Sequence, residues 1–162
     1  MKTILRKLKK AGACEEGYQW AEGQTSAAEF MENLALKNAG WYLWVVGETN
    51  IPYLPAQLDR CAEAAPGMAL EYATELLSPE RLDKCAKAVS WAALKYATEL
   101  LSPERLDKCA KAEPGAALEY ATELLSPERL DKCAKAEPGA ALAYAAKHLT
   151  PARLDSCKDI TK

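Results

Sequence analysis

Apolar residues along this chain recur at helical spacing in short bursts. Over 65–89, Ala69, Leu70, Ala73, Leu76 and Leu77 fall at i, i+3/i+4 and i+7, and Leu82, Cys85, Ala86 and Val89 resume the spacing after a Ser78-Pro79 break. Glu71, Glu75, Glu80, Lys84 and Lys87 take the opposite sides of the two segments. The pattern predicts two short amphipathic helices, A and B, joined as a hairpin with one apolar side. The same text returns downstream. YATELLSPERLDKCAKA stands unchanged at 72–88, 96–112 and 120–136, AYAAKHLTPARLDSCKDI follows at 143–160, and PAQLDRCAEA at 55–64 reads as a degenerate earlier copy. Starts at 72, 96 and 120 fix the period at 24 residues.

The punctuation within each period is explicit. Glu113-Pro114-Gly115 and Glu137-Pro138-Gly139 open helix A, while Ser78-Pro79, Ser102-Pro103, Ser126-Pro127 and Thr150-Pro151 supply an N-cap and a first-turn Pro for helix B. A hairpin of this size cannot bury its apolar side alone, so neighbours must stack and share it. The expected fold is therefore all-α, an α-solenoid of stacked helical hairpins with N- and C-terminal caps. Its segments are an N-terminal helical cap (1–40), a divergent first repeat (41–64), repeats at 65–88, 89–112 and 113–136, and a C-terminal capping repeat (137–162).

The two ends differ from the middle. In the last unit Leu124 gives way to His148, Glu123 to Lys147 and Ala134 to Lys158, which reads as polar termination of a core-facing surface. Near the other end, Ser26 and Glu29 have capping-box spacing ahead of Phe30, Leu34 and Leu36. Trp41, Tyr42, Leu43 and Trp44 read as a bulky first helix A. Along helix B, Glu80 with Lys84 and Asp83 with Lys87 are acid-first i,i+4 pairs, expected as solvated surface charge.

Composition narrows the classes. With 49% hydrophobic residues the chain can form a core. Lys and Arg number 21 against 23 Asp and Glu, and five of the basic residues crowd into MKTILRKLKK, so the rest is acid-rich. An acid-rich body lacks the basic stripe a nucleic-acid binder needs, and no nucleic acid partner is expected. No apolar run is long enough for a membrane span or a signal-peptide core, so no membrane partner is expected and the location is expected to be cytoplasmic. The basic leader is expected to serve as a cap helix, with membrane or nucleic-acid contact as the alternative.

Candidate chemistry has mostly structural accounts. Cys61, Cys85, Cys109, Cys133 and Cys157 form a ladder at the repeat period, three residues after the core Leu of each helix B. A small, soft hydrophobe fits there between stacked helices. Helices packed ~8–10 Å apart hold such positions too far apart for disulfides. Zinc is disfavoured because the spacing is not C-x-x-C and His148 is the sole histidine. No nucleophile motif, phosphate loop or ligand cluster stands out, so no catalytic, cofactor-binding or metal residue is assigned and no enzyme is expected.

Tyr72, Tyr96, Tyr120 and Tyr144 form a second ladder on the margin of helix A, expected first as rings packed across the repeat junctions with their hydroxyls in water. The alternative is a binding face, in which the rings stand beside Glu75, Glu99 and Glu123. One unit departs from the pattern, with Val89-Ser90-Trp91 in place of the Pro-Gly start and Lys95 in place of a Glu. Trp91 is expected to pack on its neighbours or, as the alternative, to contact a protein together with Lys95, Trp being a frequent interface anchor. The expectation is a monomer that binds a protein or peptide.

In architecture the chain resembles the α-solenoid families, tetratricopeptide, HEAT and Sel1-like repeats among them, although its unit is shorter and lacks their signature residues. Over roughly 10–46, GACEEGYQW followed by GWYLWVV resembles small phage and bacterial proteins with an AC-x-x-G-x-x-W segment and a later DW-x-LW segment. Cys14, Gly17, Trp20, Trp41, Leu43 and Trp44 hold the matching positions, with Gly40 in place of the acid. That resemblance implies no activity. Natural repeats drift at exposed sites, where substitutions are nearly free. Three unmutated copies therefore point to an array built from a consensus or duplicated very recently.

Overall fold

In a computed structural model, which describes residues 1–161, the protein is all-helical, and no strand occurs among the described residues. The chain divides into two compact units, Met1–Arg81 and the residues from Leu82 onward.

The first unit holds α1 (Lys2–Lys10), α2 (Glu15–Glu22), α3 (Ala27–Lys37), α4 (Ala39–Thr49), α5 (Pro55–Ala64) and α6 (Pro66–Tyr72). The leader is a packed helix: Ile4 and Leu8 of α1 are buried, and the Lys7 ammonium donates to the Asn50 carbonyl at 2.9 Å. Ser26 caps α3 by accepting from the Glu29 amide. The Glu29 carboxylate reaches back to the Ser26 backbone, as a capping box requires, and also accepts from the Thr25 amide at 3.0 Å and from the Thr25 hydroxyl. These bonds hold the Glu29 carboxyl below its ordinary range. Asn38 caps α4, and Asn50 in left-handed conformation ends it.

Helix α4 carries the core of this unit, burying Tyr42, Leu43, Val45 and Val46 against α3, α5 and α6. Tyr42 has no exposed surface, donates to Gln57 at 3.3 Å, and has its phenol pushed up to about 12, chiefly by burial. The crossing of α4 and α6 is closest at Gly47. A Cβ there would stand 1.8 Å from the Tyr72 carbonyl oxygen.

In the second unit, α8 (Ser90–Tyr96), α9 (Pro103–Ala112), α10 (Pro114–Tyr120), α11 (Pro127–Ala136), α12 (Pro138–Ala140) and α13 (Pro151–Ile160) follow the end of α7 (Pro79–Ala88). Helix A is here α8 and α10, and helix B is α9, α11 and α13. Each hydroxyl expected to cap a helix B does so: Ser102, Ser126 and Thr150 accept from the amide three residues on, as Ser78 does in the first unit. Successive B helices pack together, α9 on α11 and α11 on α13, with α8 and α10 against them.

Helix A is shorter than its apolar spacing implies. The α-helix stops at Tyr72, Tyr96 and Tyr120, and Thr74–Leu76 and Thr98–Leu100 continue as 3-10 turns. Threonine contributes to the break. The Thr74 hydroxyl bonds the Leu70 carbonyl, and Thr122 does the same to Leu118 at 2.5 Å, competing with the backbone for the carbonyl four residues back. The tighter turn rotates the leucine pair. Leu77 and Leu101 are buried, whereas Leu76, Leu100 and Leu124 are exposed. In the last unit, where Ala146 replaces the threonine, a π-turn at Ala141–Ala145 precedes the 3-10 turn Ala146–His148.

His148 therefore does not replace a core leucine, since the equivalent Leu124 is itself exposed. Lys158 stands exposed where Ala134 has no exposed surface.

The crossing at Gly47 gives a direct test. Gly47→Ala should destabilise the protein by about 1–3 kcal/mol through overpacking. Gly139→Ala, with nothing within 4 Å of its Cβ, should be neutral or stabilising by up to about 1 kcal/mol. Urea midpoints measured on both variants decide it.

Candidate functional site

Two interactions recur at every junction of the second unit. The first belongs to the cysteines. Cys109, Cys133 and Cys157 are buried, and their thiols donate to the carbonyls of Ala86, Ala110 and Ala134 at 3.6, 3.5 and 3.6 Å. Each acceptor lies in the last turn of the preceding helix B, where carbonyls lack an amide partner four residues on. The thiol thus fills core space and satisfies a helix end together. In the first unit Cys61 donates likewise to Ala35 at 3.7 Å. Burial pushes the thiols of Cys61, Cys109 and Cys133 up, which keeps them protonated donors and poor nucleophiles. All six cysteines are free thiols, and Cys14 alone is exposed.

The second interaction escaped the sequence pattern. Arg105 grips Asp83 with Nε and Nη2 at 2.5 and 2.6 Å, Arg129 grips Asp107 at 2.5 and 2.5 Å, and Arg153 grips Asp131 at 2.6 and 2.7 Å. The arginine side chains are mostly covered and the aspartates half exposed. Each fork joins one helix B to the next. The expected Asp83–Lys87 pairing is thereby displaced, because a planar guanidinium matches both carboxylate oxygens where a lysine meets one. The other helix B pair does form, between Glu104 and Lys108 and between Glu128 and Lys132, at 2.6 Å. In the first unit the rung is looser, with Arg81 shared between Asp59 at 3.3 Å and Glu63 at 3.5 Å.

Gln57 stands in the arginine position of the first copy and bonds Tyr42, while Asp155 of the last copy pairs with Lys158 at 3.3 Å.

The candidate binding residues of the second unit lie along its helix A row. Exposure reaches 48% at Trp91, 51% at Leu100, 39% at Tyr120, 49% at Leu124 and 52% at Tyr144, whereas helix B shows one large exposed apolar residue, Ile160. Tyr96 is half-buried. Lys95 ties the row together, its ammonium 4.8 Å from the Tyr96 ring centroid and 6.0 Å from that of Tyr120. Glu119 pushes the Tyr120 phenol up, mainly by accepting its hydrogen bond. Glu99 and Glu123 are exposed alongside, with Lys147 4.0 Å from Glu123. Tyr72 and Glu75 belong to the first unit, Tyr72 half-buried with its backbone against Gly47 and Glu75 exposed.

Among the described residues no three His, Cys, Asp or Glu side chains gather as a metal site, and no helix is long and apolar enough to cross a membrane.

The Arg–Asp fork should show coupling of about 0.5–1 kcal/mol in a double-mutant cycle on Asp107→Asn and Arg129→Ala. Arg129 holds the Asp107 carboxyl below its ordinary range, so the contribution is present above about pH 4 and is lost as pH falls through the folded value. Urea titrations at neutral pH and in acid should give coupling in the first and none in the second. Alkylation with a maleimide under native conditions should modify Cys14 at once and the five buried thiols only on unfolding, as counted by mass spectrometry. Compared with known proteins, the chain matches no family model, no curated protein and no solved structure.

Proposed function

We propose that this protein is a non-enzymatic helical-repeat scaffold whose helix A row binds a basic, partly apolar protein segment. The observation that carries the reading is the segregation of exposed large apolar side chains within the second unit: Trp91, Leu100, Tyr120, Leu124 and Tyr144 all lie on the helix A side. Glu99, Glu119 and Glu123 border them, so a partner with apolar anchors and positive charge complements the row in both respects. Reduced, buried thiols suit a cytoplasmic location, where disulfides are rare.

An array built from a consensus and a natural phage-derived protein that grips a host protein both accommodate this face. The resemblance at 10–46 favours the second, and the unmutated copies favour the first. Codon usage separates them, since deliberately varied codons across 72–88, 96–112 and 120–136 mark an assembled gene.

Fluorescence anisotropy with two labelled amphipathic peptides of equal length, one of Leu and Lys and one of Leu and Glu, tests the surface. The Leu/Lys peptide should bind saturably, and Trp91→Ala and Leu124→Ser should each weaken it by about tenfold. Equal binding of both peptides, or binding indifferent to both substitutions, overturns the proposal.

A further inference from the structure

The first unit contains a cavity of about 330 Å³ that neither the repeat junctions nor the helix A row uses. That volume falls at the lower end of small-molecule sites, which run from about 300 to 1,000 Å³. Trp20 of α2, Trp41 and Trp44 of α4, and Met68 and Tyr72 of α6 line it, with the 11–14 connection closing one side. All three indoles are half-buried. No Asp, Glu, Lys, Arg or His is part of the lining.

The space follows from local sequence. After α1, Gly12 adopts φ +80, with its amide bonded to Lys9 and that of Ala13 to Leu8, and this turns the chain sharply. The residues at the turn, Ala11, Gly12 and Ala13, are too small to fill what they enclose. Gly17 lets α2 lie against the Trp41 indole, since a Cβ there would come within 2.4 Å of the ring. Trp20 is held from two directions, by Phe30 at a centroid distance of 5.6 Å and by the Lys37 ammonium at 5.2 Å. The aromatic walls are therefore fixed around a space they do not fill.

We propose that this cavity is a binding site for a small, uncharged, planar aromatic molecule. Indole faces and a thioether favour a flat apolar occupant, because aromatic pairs gain from stacked and edge-to-face geometry beyond the area they bury. The same lining disfavours an anion, which would exchange its hydration for the negative faces of indole rings and a wall with no cationic side chain. Cys14 both lines the cavity and is exposed, which places its thiol at the mouth.

The test uses the full chain and N-phenyl-1-naphthylamine, a neutral aromatic whose emission rises in apolar surroundings. Saturable enhancement at one probe per chain is expected, with Cys14 alkylation by N-ethylmaleimide slowed about tenfold at saturation and binding by Cys14→Leu weakened about tenfold. Trp91→Ala should bind the probe as the parent does, which keeps this site distinct from the helix A row. Non-saturable enhancement, or Cys14 alkylation indifferent to the probe, overturns the assignment whether or not Cys14→Leu folds. Equally tight binding of 1-naphthalenesulfonate overturns the requirement for an uncharged ligand.

Discussion

Everything in the second unit depends on the junction between one helix B and the next. A helix A of 7 residues and a helix B of 10 are each shorter than the ~12–15 residues at which isolated helices become even marginal in water. Neither has a fold of its own to contribute. What holds them is the shared seam, where Leu106, Cys109 and Ala110 of α9 and Leu130, Cys133 and Ala134 of α11 are buried. Fully burying one such leucine is worth roughly 1.5–3 kcal/mol, so the apolar seam outweighs the ion pairs that accompany it. The polar contacts set register: a thiol must meet one particular carbonyl, and a guanidinium one particular carboxylate.

The features legible in the sequence are those whose partners lie within a helical turn or two. Ser102 and Pro103 announce the start of α9 because the cap is three residues from the amide it serves. Leu106 and Cys109 share a face by helical spacing alone. The Arg129–Asp107 fork was not legible in this way, since its partners are 22 positions apart and Lys111 offered the carboxylate a nearer alternative. A signal did exist: Asp and Arg recur in fixed positions in every full copy, so any pair one period apart meets repeatedly. Leu124 misled for the opposite reason. Its spacing suits an uninterrupted α-helix, and the threonine two residues earlier bonds backward where the α-helix ends. The cavity among the tryptophans lies in the non-repeating part, where no copy helps to interpret another.

Because the helix B seam, with Leu101 beside it, supplies the core, the outer positions of helix A are released from structural duty. Among the copies at 65–136 every substitution falls in the helix A half, and the seam is undisturbed. Val89-Ser90-Trp91 removes the proline that starts α10, yet α8 still forms, and the Ser90 hydroxyl donates to Ala86 at 3.3 Å, the carbonyl that also receives the Cys109 thiol. A tryptophan and a lysine are thus accommodated while the junction beneath keeps its geometry, an arrangement suited to changing what a surface contacts without changing how the protein folds.

The Arg–Asp series also has a direction. Every full copy presents its carboxylate to the copy that follows and its guanidinium to the copy that precedes, so the ends are chemically unlike. A direction of this kind lets copies stack in one orientation only, because a reversed copy would bring carboxylate to carboxylate. Glutamine at position 57 leaves the first copy without a guanidinium, and its side chain serves the buried Tyr42 of α4 instead.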